Sequence, residues 1–166
     1  GRSPAWAAVY WQYFEDIDRV RTFDSKSVQV SKTLYRELQT EEGSKLVALD
    51  ALGTELEPGD QVVIRIEIRT DRDLEFVHLK DTRAAGLEPV VTLSGYEWSH
   101  GLGYYRQMRD AAADFFIDYL AKGTYVFEYP LVVSHKGDFS AGVATLQCMY
   151  APEFISHSSG SRLSVR

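Results

Sequence analysis

Between Gly123 and Val133 the chain reads GTYVFEYPLVV, with Tyr125, Phe127, Tyr129, Leu131 and Val133 at every second position. A period of two is the spacing of an extended strand, whose successive side chains point to opposite faces; a helix would scatter these five residues around its axis. The segment is therefore expected to form a strand with those residues on the core side and Val126, Glu128 and Val132 on the other. Residues 61–69 repeat the pattern more cleanly, with Val62, Ile64, Ile66 and Ile68 facing inward and Arg65, Glu67 and Arg69 facing water. The predicted core comprises these four residues with Tyr125, Phe127, Tyr129 and Leu131.

Similar patterns occur at residues 8–14, 27–38, 74–82, 87–93 and 142–150, with a shorter one at 162–165. Turn-forming residues separate many of them, including Glu41-Glu-Gly43, Glu57-Pro-Gly-Asp60, Lys122-Gly123 and Lys136-Gly-Asp138. Seven or more short strands spaced by turns predict an all-β sandwich. Pro130 has no N–H for a ladder, so residues 123–134 are expected at an edge or bulged there. Residues 110–120 are read as a turn or short helical turn leading into a strand, since Ala111, Ala112 and Ala113 favour helix while Phe115, Ile117 and Tyr119 alternate.

Composition excludes several functions. With 166 residues, 45% of them hydrophobic and 25% charged, the chain can bury one sizeable core. The net charge of -6, with Lys and Arg spread among acids, argues against a nucleic-acid partner. No run approaches the roughly eighteen apolar residues of a spanning helix, so direct membrane insertion is not expected. The chain starts Gly1-Arg-Ser-Pro without an initiator Met, which reads as a piece of something longer. Residues 1–20 are assigned as a lead-in, a first strand or the end of a preceding domain, and residues 21–166 as the main domain.

No constellation points to catalysis. Cys148 shares strand parity with Leu146 and Tyr150 in an apolar run and is expected to be a buried, inert thiol. His78, His100, His135 and His157 lack the spacing that converges ligands on a metal, so no metal or cofactor is assigned. His78 is expected to be a hydrogen-bonded, half-buried residue, and His135 and His157 to be solvated. The acids single out no catalytic pair; Asp71-Arg-Asp73 and Asp81-x-Arg83 are expected to form exposed or half-exposed ion pairs at strand ends. Neither a nucleophile elbow nor a phosphate loop occurs, and Gly101-Leu-Gly103 lacks the third glycine of a dinucleotide loop. The chain is read as no enzyme.

Residues 95–105, GYEWSHGLGYY, read as a long connection rich in aromatic residues. Loop aromatics are typical of recognition surfaces, so Tyr96, Trp98, His100, Tyr104 and Tyr105 form the candidate interface. Rings that merely cover one end of the sandwich would look the same, and so would a carbohydrate-binding platform.

Ordered blocks along most of the chain carry a resemblance: VYWQYF at 9–14, GDQV at 59–62, DRDLEFVHLKD at 71–81, AGLEP at 85–89, GLGYY at 101–105, GTYVFEY at 123–129, GDF at 137–139 and MYAPE at 149–153. In this order they resemble the C-terminal macroglobulin domain, the tenth and last of its kind, of bacterial alpha-2-macroglobulins. The resemblance implies an immunoglobulin-like or fibronectin-like sandwich and a non-catalytic part in a protease trap. It also implies neighbouring domains of one long chain as partners, target proteases met only through the parent protein, and a periplasmic or cell-envelope location. In that family a thioester is written Cys-x-Glu-Gln; here Cys148 is followed by Met149, Tyr150 and Ala151, so no thioester is expected in this segment. An independent adhesion or carbohydrate-binding sandwich is the alternative reading.

Overall fold

A computed structural model describes Val9 and residues 14–25, 27–41, 43–49, 55–99 and 101–166. After a short 3-10 turn at Ile17–Arg19, the strands are β1 (Val28–Thr40), β2 (Gly43–Ala48), β3 (Gln61–Thr70), β4 (Leu74–Thr82), β5 (Leu87–Pro89), β6 (Gly95–Ser99), β7 (Leu102–Met108), β8 (Ala112–Leu120), β9 (Gly123–Val133), β10 (Gly137–Ser140), β11 (Ala144–Cys148), β12 (Ala151–His157) and β13 (Arg162–Val165). They form a sheet in the order β2-β1-β3-β9-β5, a second in the order β12-β11-β4-β8-β7-β6, and a small β10-β13 pair. The named strand pairs are antiparallel, and for the successive pairs β1–β2, β6–β7 and β7–β8 the short turns between them require it. The result is an all-β sandwich of the immunoglobulin-like kind.

The core lies where the inward faces of the two sheets meet. Register places Val62 beside Leu131, Ile64 beside Tyr129 and Ile66 beside Phe127, so the alternations of β3 and β9 reinforce one face. All six are buried, and Val77, Leu79, Phe115, Ile117 and Leu146 meet them from the other sheet. Phe115 is the hub of an aromatic cluster, with ring centroids 5.2 Å from Phe127, 5.8 Å from Tyr104 and 6.2 Å from Tyr129. Tyr125 departs from the expectation: it is half-buried at the end of β9, and its hydroxyl donates to the Ala121 carbonyl at 3.0 Å.

Pro130 is accommodated at the near-edge position of β9. Its carbonyl accepts from Val90 N at 3.3 Å on the outer side. A strand residue's N–H and C=O point the same way, so the missing N–H would also face outward and the ladder to β3 loses nothing. Residues 110 and 111 form a turn and the strand begins at Ala112, so the alanines give no helix: cross-strand pairing overrides their propensity. Residues 87–93 shorten to β5, three residues long, because the chain then leaves one sheet for the other. The expected strand at 8–14 falls mostly outside the described residues.

Phe76 is the one described non-glycine residue with positive φ, at 51°. Below it the alternation shifts phase: Glu75 and Phe76 are both exposed, as are the facing Asp118 and Tyr119, and Leu74 and Leu120 turn back into the core. The left-handed residue, costing on the order of 1–3 kcal/mol, thus allows two leucines to close that end of the sandwich.

Candidate interaction surface

The outer face of the six-stranded sheet carries a row of rings. Tyr96 on β6 is in register with Tyr105 on β7, Tyr105 with Phe116 on β8, and Phe116 with His78 on β4. The Tyr96 and Tyr105 rings meet edge-on at 5.1 Å, and those of His78 and Phe116 stack at 4.7 Å with planes 1° apart. Continuing across the sheet, His78 faces Gln147 on β11, and Gln147 faces Ile155 on β12. Tyr96 is exposed at the edge, while Tyr105, Phe116 and His78 are half-buried by one another.

Trp98 lies on the same outer side, 82% exposed, with its indole across Gly103. A Cβ at position 103 would stand 3.1 Å from the ring, so glycine there is what lets the tryptophan lie flat over the hairpin. Beneath the ring row sits a polar cluster. His78 Nε2 is 2.7 Å from Asp114 Oδ1, and Arg109 Nε is 3.0 Å from Asp114 Oδ2. Asp114 is buried, so both of its oxygens need these partners.

The outer face of the five-stranded sheet is different in kind. Arg65 pairs with Glu128 across the ladder and lies 4.7 Å over the Tyr35 ring, with Glu67 and Arg69 exposed alongside. That is a solvated face laced by an ion pair, whereas half-buried rings dominate the opposite one.

The expected interface residues are thus divided. Tyr96, Trp98 and Tyr105 share the outer face. Tyr104 points the other way into the core, against Phe127 at 5.2 Å, and its hydroxyl donates to Glu97 Oε2 at 3.0 Å. Burial and then the Glu97 carboxylate push its phenol up to about 12. Arg106 holds Glu97 from the other oxygen at 2.6 Å. His100 lies outside the described residues. The connection expected over 95–105 is instead the β6–β7 hairpin, and strand alternation within it separates Tyr104 from Tyr105. Phe116 and His78 belong to the row although no local pattern marks them as adjoining the hairpin; the pairing of β7, β8 and β4 brings them there.

The expected exposed pair between Asp81 and Arg83 is overturned. Asp81 is fully buried between the sheets, where Lys32 Nζ from β1 approaches Oδ1 to 2.6 Å and the Tyr129 hydroxyl from β9 donates to Oδ2. Lys32 also donates to the carbonyls of Thr82 at 2.6 Å and Ala141 at 2.8 Å, so two backbone acceptors and the carboxylate charge surround its ammonium. The in-register neighbours of Asp81 are Ala113 and Ala144, whose small side chains leave room for the lysine and tyrosine. Burial pushes the Asp81 carboxyl up and the Lys32 ammonium down, against their mutual attraction, and pushes the Tyr129 phenol well up. Arg83 is buried beside them and donates to the carbonyls of Arg109 and Asp110. The Asp71-Arg72 pair is exposed as expected, at 3.0 Å, while Asp73 accepts from the Tyr119 hydroxyl at 2.7 Å and from Lys122 N at 2.8 Å.

Cys148 is buried, and burial followed by the Glu153 charge pushes its thiol up, away from the reactive thiolate. His157 is less solvated than expected: it stacks on Phe23 at 5.8 Å, and the backbones of the two residues exchange hydrogen bonds. Among the described residues no group of three or more His, Cys, Asp or Glu side chains is placed to hold a metal. No described helix is long and apolar enough to cross a membrane.

Similar folds occur in solved alpha-2-macroglobulins. One from Salmonella, reacted with methylamine, is 16% identical with a TM-score of 0.64 over 85% of this chain and 9% of that one. One from Escherichia coli, activated by porcine elastase, is 15% identical with a TM-score of 0.66 over 88% of this chain and 14% of that one. A Dictyostelium discoideum protein, Circularly permutated Ras protein 2, is 22% identical over 107 residues, 64% of this chain but 3% of that protein. The chain therefore spans only a small part of each relative's length. The family of the Bacterial Alpha-2-macroglobulin MG10 domain matches residues 29–153, three-quarters of the sequence, with β2 to β11 whole and nearly all of β1, and the chain belongs to that family.

Proposed function

We propose that this domain is a non-catalytic structural and interaction module of a bacterial alpha-2-macroglobulin-like protease trap, an endopeptidase inhibitor, and that it helps hold the uncleaved state. The observation that carries this reading is the family match over residues 29–153. The half-buried ring row of Tyr96, Tyr105, Phe116 and His78, with Trp98 beside it, supports a surface that works when covered by a neighbouring domain. Residues 1–20 lead into the domain of residues 21–166, target proteases are met only through the parent protein, and the parent resides in the periplasm or cell envelope.

The test is Tyr105→Ala and Trp98→Ala in the full-length protein, followed by protease-triggered rearrangement on native gels. Faster spontaneous rearrangement supports the reading. Unchanged rearrangement, together with loss of oligosaccharide binding by the same variants, replaces it with a carbohydrate-binding sandwich.

A further inference from the structure

Between β5 and β6 the chain crosses from one sheet to the other and exposes a run of large apolar side chains. Val90, Val91, Leu93, Tyr96 and Trp98 are all exposed, the last three by 80%, 80% and 82%. The run ends in β6, which among the described strands pairs with β7 alone and stands last in its sheet.

The hairpin fixes which backbone groups of that edge are free. Ser99 and Leu102 face each other with two residues between them, so theirs is a hydrogen-bonded pair. Antiparallel alternation then makes Glu97–Tyr104 and Gly95–Arg106 hydrogen-bonded pairs, and leaves Tyr96–Tyr105 and Trp98–Gly103 as non-bonded ones. The next hairpin agrees: Arg109 N donates to Ala112 O at 2.8 Å, and the same alternation binds Tyr105 to Phe116 rather than to Tyr96. The N–H and C=O of both Tyr96 and Trp98 therefore point outward, away from β7.

The other edge of this sheet is treated differently. At β12 the segment ahead of β1 covers the strand, Phe23 and His157 exchanging backbone hydrogen bonds of 3.0 and 2.9 Å. On β6 no lysine or proline blunts the edge, and the one charge, Glu97, is taken up by Tyr104 and Arg106. An uncovered apolar edge is a template for another strand.

We propose that β6 is a strand-addition edge that receives an extended segment from elsewhere in the same long chain, bonded through the main chain to Tyr96 and Trp98 and seated on the Leu93, Tyr96 and Trp98 side chains. The occupant follows from length. This chain spans 9% and 14% of the two alpha-2-macroglobulin chains described above, so in a parent of that kind most of the polypeptide lies outside it, tethered at high effective concentration. The inference rests on the reading that the domain works inside such a parent.

Hydrogen exchange with mass spectrometry, on the 166-residue chain and on the full-length protein containing it, tests the proposal. Peptides spanning residues 95–99 should exchange at least about tenfold more slowly in the full-length protein, with β4 and β8 peptides unchanged. Tyr96→Lys combined with Trp98→Lys should restore the faster rate. Equal exchange in the two proteins overturns the proposal. So does protection that appears in the 166-residue chain with rising concentration alongside a dimer by light scattering, which assigns the edge to a second copy. Protease treatment of the same full-length sample separates the two readings: rearrangement with β6 unprotected sinks the strand addition alone, whereas no rearrangement sinks the protease-trap reading.

Discussion

Lys32 on β1 reaches across the sandwich and places Nζ 2.6 Å from Oδ1 of Asp81 on β4, joining the two sheets through their shared interior. Both side chains are almost completely removed from water, so each charge depends on the other. Lys32→Met alone should destabilise the domain by about 3–5 kcal/mol in urea melts, because it strands a buried carboxylate. Lys32→Met combined with Asp81→Leu should recover most of that loss. A double variant as unstable as the single one would mean that the carbonyl contacts of Lys32, rather than the ion pair, hold this site.

Tyr104 is a core residue although both of its neighbours in sequence, Gly103 and Tyr105, are only half-buried. Tyr104→Ala should cost about 3–5 kcal/mol in the 166-residue chain, comparable with Phe127→Ala. Tyr96→Ala, on the opposite face and exposed, should stay within about 0.5 kcal/mol. Parallel chemical melts of the three variants check this; equal effects at 104 and 96 would refute the hairpin register.

Alkaline pH should weaken the fold through Tyr104. Its phenol titrates near 10 when unfolded and at about 12 when folded, so over that window the folded state keeps a proton that the unfolded state has lost. The stability this contributes is complete below pH 10 and is lost as pH rises toward 12, with a slope near 1.4 kcal/mol per pH unit. Tyr104→Phe should remove that share of the slope. The readout is the difference between the two proteins in urea midpoints from pH 9 to 11.5, which cancels the other titrating groups.

Cys148 should react slowly. Its thiol is buried and its pKa is raised, so a thiol-reactive dye should label the native chain far more slowly than the urea-unfolded chain. Equal rates would place the sulfur at the surface and contradict the register of β11 with β4.

Much of the fold was legible because a half-buried strand writes its core face as an alternation. Val62, Ile64, Ile66 and Ile68 read this way, as did Phe127 to Leu131, and so did the burial of Cys148. The short strands β2, β6, β7, β10 and β12 were not legible. Their half-buried or exposed faces blur the alternation, and pairing rather than propensity makes them strands.

The candidate surface was half legible for the same reason. Aromatic residues at 95–105 marked the region, but a loop has no defined faces, so only the hairpin could send Tyr105 outward and Tyr104 inward.

By itself, then, the sequence determined the β class, the inward faces of β3 and β9, and a family resemblance carried by ordered blocks. The tertiary structure decided what those faces meet. Lys32 and Asp81 lie far apart in the chain, and local pattern gives no measure of whether a charge will find a partner before it is buried. Their pairing depends on β1 and β4 occupying opposite sheets, as the ring row depends on β7, β8 and β4 lying side by side. Alternation says which residues share a face; only the packing of sheets says whether that face meets water, a partner or another charge.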